Sequence, residues 1–326
     1  MADTTKKERI FMTGASGYIG SRITEFAIAQ GYEVYGLSRS EASDEILKKL
    51  GAVPVRGDLT TLDVIRRESA AADIVMHLAD PFRGKQGVDY QEVIDDQKAI
   101  SDAIADGIQG TNKPLVMTSG TLMAEADPNG GITDETAPYP ENPVVRRHIV
   151  EQYDLSLAKK GIRVSTIRLS PYVYGRGGSG LFHFLHIAAK NSQVLAVNEG
   201  KQHTSAVHVD DAARLYILAA QKAKAGSIFN ATESTDLTAR QVFDAMAEAL
   251  QVPVQSFTLE EAKGKVGPFF AAFLAAASRA SSEKAHKELG WEIQEKAGIV
   301  EDIKTGSYKA LADQIRNKTA TPYAGF

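Results

Sequence analysis

Three glycines stand at positions 14, 17 and 20 of the segment Thr13-Gly14-Ala15-Ser16-Gly17-Tyr18-Ile19-Gly20. A short apolar run, Ile10 to Thr13, precedes them and a segment of helical periodicity follows. This spacing suits a phosphate. Gly14 permits a tight turn, Gly17 lets the backbone approach a pyrophosphate, and Gly20 lets the helix pack closely on the sheet. The amides of the helix N-terminus then face the anion, with Ser16, Tyr18 and Ile19 completing the loop. Glycine turns between strand and helix are common, so the weight comes from context. Ile23, Phe26 and Ala27 share one helical face, and a second strand ends 18 residues past Gly20. The pattern reads as a dinucleotide site.

The end of that second strand speaks to which dinucleotide. A site for NAD closes the strand with an acidic residue that accepts from the ribose 2′-hydroxyl. Here Ser38, Arg39 and Ser40 occupy the position. A carboxylate would repel a 2′-phosphate, whereas Arg39 can pair with one and stack on adenine, with both serines as donors. The expected cofactor is NADP(H).

The elements that must position these residues alternate through the first half of the chain. Short strand-like runs at Ile10–Thr13, Val34–Leu37, Val53–Arg56, Ile74–Leu78, Leu115–Thr118 and Val164–Leu169 are separated by helix-length segments. The spacing predicts helices near 46–50, 93–108 and 145–159. Parallel strands with crossover helices follow, hence an α/β fold with a doubly wound (Rossmann) parallel sheet. Residues 1–170 are expected to form this dinucleotide-binding domain, with segments near 205–230 returning to it. Residues 171–326 are expected to form a smaller, mainly helical substrate lobe. Helices at Leu181–Ala189 and Leu237–Leu250, and the Ala- and Phe-rich stretch Gly267–Ala277, belong to that lobe.

Composition narrows the class. The 326 residues are 43% hydrophobic and 24% charged, with a net charge of −4 and no basic block, so nucleic acid is not an expected partner. The longest apolar run, Phe269 to Ala277, is too short to span a bilayer. The chain holds no cysteine, which removes disulfides, thiolate metal sites and cysteine nucleophiles together. A soluble cytoplasmic protein, monomeric or homodimeric, acting on a small molecule is the reading that remains.

The loop TGASGYIG resembles the glycine motif of the extended short-chain dehydrogenase/reductase superfamily, which includes sugar-nucleotide epimerases and dehydratases. Further matches follow in order. Arg56-Gly57-Asp58-Leu59 resembles the adenine-contacting segment, which implies that Asp58 accepts from the adenine amine. His77-Leu78-Ala79 resembles the segment after the fourth strand that lines the cofactor, which gives Leu78 and Ala79 that role. Thr118-Ser119-Gly120-Thr121 resembles the serine-bearing end of the fifth strand, which implies that Thr118 contacts the cofactor. Arg168-Leu169-Ser170-Pro171-Tyr172-Val173-Tyr174-Gly175 is similar to the segment beside the nicotinamide, which implicates Pro171. Val207 to Ala212 and the run KAHKELGW at 284–291 match later landmarks.

The catalytic slot departs from the resemblance. Family members usually pair the serine with Tyr-x-x-x-Lys, in which tyrosine exchanges the proton and lysine lowers its pKa. No Tyr-x-x-x-Lys occurs in this chain. Ser119 and the helical acidic landmark Glu151 place Pro143 where tyrosine belongs and Arg147 where lysine belongs. Arg147 can still hold ribose hydroxyls, but an arginine does not give up a proton. Asp96 takes the helix position of the usual water-orienting asparagine. The candidate catalytic set is therefore Ser119, Arg147, Asp96 and Tyr172. Tyr172 replaces the more common asparagine and is the proposed substitute acid beside Arg147; protonated Asp96, or a water relay through it, competes.

Two smaller signals complete the reading. His183 and His186 lie three apart on one helix, a spacing compatible with a metal, but no third ligand converges and no metal is expected. Phe269, Phe270 and Phe273 can wall an apolar substrate pocket, or equally a packing interface. The function expected is an NADP(H)-dependent oxidoreductase acting on a carbonyl or related conjugated group of a small, apolar molecule, with a non-standard proton donor. A non-catalytic NADP(H)-binding sensor and a non-redox epimerase or lyase remain alternatives.

Overall fold

The computed structural model describes residues 7–81, 90–141, 143 and 146–319. The amino-terminal half runs β1 (Arg9–Thr13), α1 (Tyr18–Ala29), β2 (Glu33–Ser38), α2 (Glu41–Lys49), β3 (Val53–Arg56) and α3 (Leu62–Ala71). It continues with β4 (Ile74–His77), α4 (Tyr90–Ile108), β5 (Pro114–Gly120), α5 (Arg147–Ser156) and β6 (Arg163–Leu169). The rest comprises β7 (Tyr172–Tyr174), α6 (Ser179–Lys190), β8 (Val194–Val197), β9 (Ala206–His208), α7 (Val209–Lys222) and β10 (Ser227–Ala231). Then come α8 (Ala239–Leu250), β11 (Val254–Phe257), α9 (Leu259–Val266), α10 (Pro268–Ala275), α11 (Glu283–Leu289), α12 (Gly298–Lys304) and α13 (Lys309–Arg316).

Seven strands form one parallel sheet in the order β3-β2-β1-β4-β5-β6-β10. The central strands β1, β4, β5 and β6 are buried on both faces, which explains their near-continuous apolar runs, whereas the edge strand β3 is partly exposed. One face packs Ile23, Ala27, Leu215, Tyr216 and Trp291 from α1, α7 and the segment after α11. The other packs Ile65, Ile100, Ile104 and Leu157 from α3, α4 and the end of α5. A separate core joins α6, α8, α10, α12 and α13 in the second lobe, which also holds two short parallel pairs, β8–β11 and β7–β9.

Several elements differ from the sequence reading. The helix expected at 46–50 begins at Glu41, because Ser40 caps it and its Oγ accepts from the Ser43 amide at 3.2 Å. The α3 helix, unforeseen, buries just Ile65 and Ser69, too few apolar positions to set up a visible period. The α5 helix begins at Arg147; residue 145, where the helix is expected to start, lies outside the described residues.

The late landmarks prove to be packing devices. Trp291 is fully buried and its indole N–H donates to the Asp211 carbonyl at 2.8 Å. The Asp211 carboxylate accepts from the amides of Gln294 and Glu295. His208 caps α7, its Nδ1 accepting from the Asp210 amide. Together these bonds staple the segment after α11 onto α7.

Candidate active site

Strand order reverses between β1 and β4, and in such sheets the crevice at the carboxyl ends is where ligands bind. The loop after β1 is shaped for it. Gly14 has φ +76°, and a Cβ there would lie 3.0 Å from the Ala79 amide nitrogen. A Cβ on Gly20 would fall 2.1 Å from the Gly14 carbonyl oxygen, so no side chain can replace it while α1 stays where it is. Gly17 is the N-cap of α1, and no side chain satisfies the first-turn amides. Those amides fit a phosphate. The half-buried Ser16 and Ile19 lie along the same loop. Tyr18 does a further job: its hydroxyl donates to the Gly175 carbonyl at 2.7 Å, tying α1 to the glycine-rich loop that opens the second lobe.

The segment after β4 is locked under this loop. His77 is buried, 2.6 Å from Thr13 Oγ1 through Nδ1 and 2.8 Å from Gln97 Nε2 through Nε2. Burial pushes its pKa down to about 4, so the imidazole is neutral near pH 7. The Gln97 amide donates, leaving Nδ1 to carry the proton toward Thr13. Thr13 Oγ1 in turn accepts from the Ala79 amide at 3.3 Å. The backbone of Leu78 and Ala79 is thereby fixed at the crevice edge. Thr118, expected to bind cofactor, spends its hydroxyl within the protein, donating to the His77 carbonyl at 2.9 Å and meeting Tyr216 Oη at 2.8 Å.

At the end of β2, Ser38 is buried and its hydroxyl donates to the Ser40 carbonyl at 3.2 Å. The Ser40 hydroxyl is committed to the α2 cap. Arg39 is exposed and makes no hydrogen bond or ion pair among the described residues. Its charge helps hold the Asp58 carboxyl below the usual range, after the larger effect of hydrogen bonds from Thr60. Asp58 Oδ1 accepts from the Thr60 amide and hydroxyl, and Leu59 packs beside the sheet core.

The catalytic corner lies at the carboxyl ends of β4 and β5. Ser119 is 5% exposed, and its hydroxyl has no hydrogen-bond partner among the described residues. Arg147, the first residue of α5, forms an ion pair with Asp80, a residue the sequence reading passed over. Since His77 pairs with Met117, Asp80 and Ser119 sit just past the same register point. Tyr90, at the start of α4, belongs to this group. Burial raises its phenol pKa and Asp80 adds to the rise, while Arg147 and Arg146 oppose it.

Three of the expected residues stand in other surroundings. Asp96 is exposed on the outer face of α4, whereas the adjacent Gln97 is buried against His77. One residue along a helix is a turn of about 100°, and the inward position is 97. Tyr172 is 5% exposed, and burial alone raises its phenol pKa; Arg147 contributes nothing to it. Its ring packs instead on Phe184 and Phe273 of the second lobe, with the half-buried Pro171 before it. Pro143 is half-buried ahead of α5, so it does not stack one helical turn below Arg147 as a tyrosine–lysine pair would.

Glu151, used to locate the slot, has a structural role. It is buried with Arg168, which donates from Nη2 to Oε1 at 2.6 Å and from Nε at 3.0 Å to Oε2, while Tyr139 donates to Oε1 at 3.0 Å. His186 Nδ1 lies 2.8 Å from the Phe182 carbonyl, and neither it nor His183 joins a ligand cluster among the described residues. The one three-residue group there is His208, Asp210 and Glu295, and Asp210 is already held by Arg22 and Arg176.

A doubly wound sheet with a glycine loop at the switch point defines a dinucleotide-binding class. The chain belongs to the NAD dependent epimerase/dehydratase family, whose model matches residues 10–232. An uncharacterized protein of Schizosaccharomyces pombe is 35% identical over 87% of this chain and 94% of its own length. A decarboxylating sterol-4-alpha-carboxylate 3-dehydrogenase of Dictyostelium discoideum is 27% identical over 72% of this chain and 74% of its own. The fold is that of the UDP-glucose 4-epimerase of Thermotoga maritima, solved with UDP-glucose, with a TM-score of 0.71 at 20% identity over 94% of this chain and 99% of that one.

Proposed function

We propose that the protein is an NADP(H)-dependent oxidoreductase acting on a carbonyl, or a related conjugated group, of a small apolar molecule. The observation that carries this reading is Ser119, a buried hydroxyl without a partner among the described residues at the carboxyl end of β5, beside the Arg147–Asp80 pair. A free donor there suits a substrate oxygen. The sterol dehydrogenase among the relatives supports an apolar substrate.

A nicotinamide dinucleotide, when bound, supplies or takes up the hydride. The glycine loop and the open amides of α1 would hold its pyrophosphate. Arg39, uncommitted and exposed, would pair with a 2′-phosphate. Arg147, steadied by Asp80, fixes positive charge at the reacting corner without itself releasing a proton. Ser119 donates a hydrogen bond to the substrate oxygen, but a serine hydroxyl is too weak an acid to finish the transfer. The proton comes from Tyr90, a phenol kept protonated by burial and electrostatically coupled to Arg147.

The test is consumption of NADPH and of NADH against a panel of aldehydes, ketones, enones and imines. NADPH-specific turnover of a carbonyl substrate supports the reading. Tight NADPH binding with no turnover of any of them would move the protein to the class of dinucleotide-binding sensors.

A further inference from the structure

A cavity of about 170 Å³ lies inside the second lobe, among α6, β8, α8 and the α9–α10 pair. Phe184, Phe243, Met246 and Phe270 line it. Tyr172 enters from the side of the sheet, just past the carboxyl end of β6. That side chain is 5% exposed, yet its hydroxyl makes no hydrogen bond among the described residues. The phenol oxygen itself is not closed off by protein, so it faces open space at the cavity wall. A ligand atom in the cavity completes its hydrogen bond.

The remaining polar groups of the wall, Asn191, Gln193 and Lys265, lie on partly or fully exposed residues and form a rim. Lys265 is the one cation on the wall among the described residues, its Nζ 4.5 Å from the Phe257 ring centroid. A nucleoside diphosphate needs converging cations with bidentate geometry, and no arginine among the described residues lines this space. An apolar body fits better: a cavity of about 150 Å³ lined by Leu, Ile and Phe admits benzene.

We infer that this cavity takes the apolar end of the substrate, a single aromatic ring or a branched alkyl group of similar size, with an oxygen acceptor other than the reacting carbonyl placed against the Tyr172 hydroxyl. The inference rests on the oxidoreductase reading for what becomes of the ligand, but not for its binding. A small aryl or alkyl oxo compound is the class it names, in place of a nucleotide sugar.

The test is calorimetric titration of the full chain, with NADPH present, by 4-(4-methoxyphenyl)butan-2-one, 4-phenylbutan-2-one and UDP-glucose. The methoxy ketone should bind about 5–10-fold more tightly than the phenyl ketone, the worth of one hydrogen bond from the Tyr172 hydroxyl to the ring oxygen. Tyr172→Phe should bring that ratio to about one while keeping the ring. Ala188→Trp, which fills the cavity, should abolish binding of both. Displacement of the methoxy ketone by UDP-glucose, or an unchanged ratio in Tyr172→Phe, would overturn the inference. Binding that follows this pattern without any NADPH oxidation leaves the pocket standing and removes the redox reading. NADPH oxidation whose KM for the methoxy ketone is unmoved by either variant does the reverse.

Discussion

Arg147 and Asp80 form an ion pair that spans the carboxyl ends of α5's supporting strands, joining the first residue of α5 to the segment that follows β4. About a third of each side chain remains exposed, so solvent screens the pair and its contribution to stability is small, about 0–1 kcal/mol. Its consequence is positional. Asp80 aims the guanidinium and offsets its charge, and both groups act electrostatically on Tyr90.

This relationship predicts coupled kinetics. Arg147→Ala and Asp80→Ala should each lower kcat/KM by about 10–100-fold, and the double variant should be little worse than either single one. The urea midpoint should barely move. Additive losses in the double-mutant cycle would show that the two residues act separately.

Cofactor choice is the second expectation. Ser38→Asp with Arg39→Asp removes a charge-assisted contact and adds repulsion toward a 2′-phosphate. NADPH binding should weaken by about 2–4 kcal/mol relative to NADH. Because the Ser40 side chain is committed to the cap of α2, Ser40→Ala should lower stability rather than change the NADPH-to-NADH ratio. Fluorescence titration of both dinucleotides checks each variant. Equal weakening of the two would make Arg39 a loop-positioning residue.

The sheet and the glycine loop were legible because each strand is a short apolar run and Gly14 and Gly20 meet backbone at contact distance. Periodicity could not reveal α3, which buries few residues. The site was legible by position and not by orientation. Ser119 lies at the carboxyl end of β5 and Arg147 opens α5, whereas Asp96 and Gln97 differ by one residue and face opposite ways. Asp80 and Tyr90 left no motif, since an ion pair between residues 67 positions apart exists only once the crevice has formed. A charged residue directly after Leu78-Ala79, at a crevice edge, was the available signal.

Stability should depend on pH through two buried carboxyls. Burial pushes Asp154 and Glu233 up to about 7; Ser101 donates to Asp154 Oδ1 at 2.6 Å, and Tyr174 donates to Glu233 Oε2 at 2.8 Å. In the unfolded chain both ionise near pH 4. Between about pH 4 and pH 7 the folded state therefore holds more protons than the unfolded state. Stability from these groups is full below that window and falls as pH rises through it, by about 1.4 kcal/mol per unit for each. Asp154→Asn should remove roughly 2–4 kcal/mol of the difference between urea stabilities at pH 5 and pH 8. An unchanged difference would mean that Asp154 ionises normally in the folded protein.

The buried pair Arg168–Glu151 should behave differently from Arg147–Asp80. Both side chains are essentially inaccessible, and Arg168 Nη1 already lacks a partner. Glu151→Gln leaves the guanidinium uncompensated and should cost about 3–5 kcal/mol in urea unfolding. Arg168→Met combined with Glu151→Leu should cost less than Glu151→Gln, since no charge is stranded. A double variant worse than the single would show that the pair contributes net stability.

The last expectation separates the two phenols. Tyr172 has no charged neighbour that shifts it, so its proton is held tightly and its hydroxyl acts as a hydrogen-bond donor to bound ligand. Tyr90 feels Arg147, Arg146 and Asp80 at once, and a change in any of those charges alters its acidity. Reduction of a carbonyl needs a proton at the developing alkoxide, and general acid catalysis is worth about 10²–10⁴-fold. Tyr90→Phe should cut kcat by that order while leaving NADPH affinity and KM close to wild type. Tyr172→Phe should instead raise KM by about 5–10-fold with kcat largely kept, the loss of one binding contact. In wild type the basic limb of kcat reports the donor, and Asp80→Asn should move that limb to lower pH by removing a charge that raises the Tyr90 pKa. If Tyr172→Phe takes the kcat loss and Asp80→Asn leaves the limb in place, the acid is Tyr172 and Tyr90 has no part in the proton transfer.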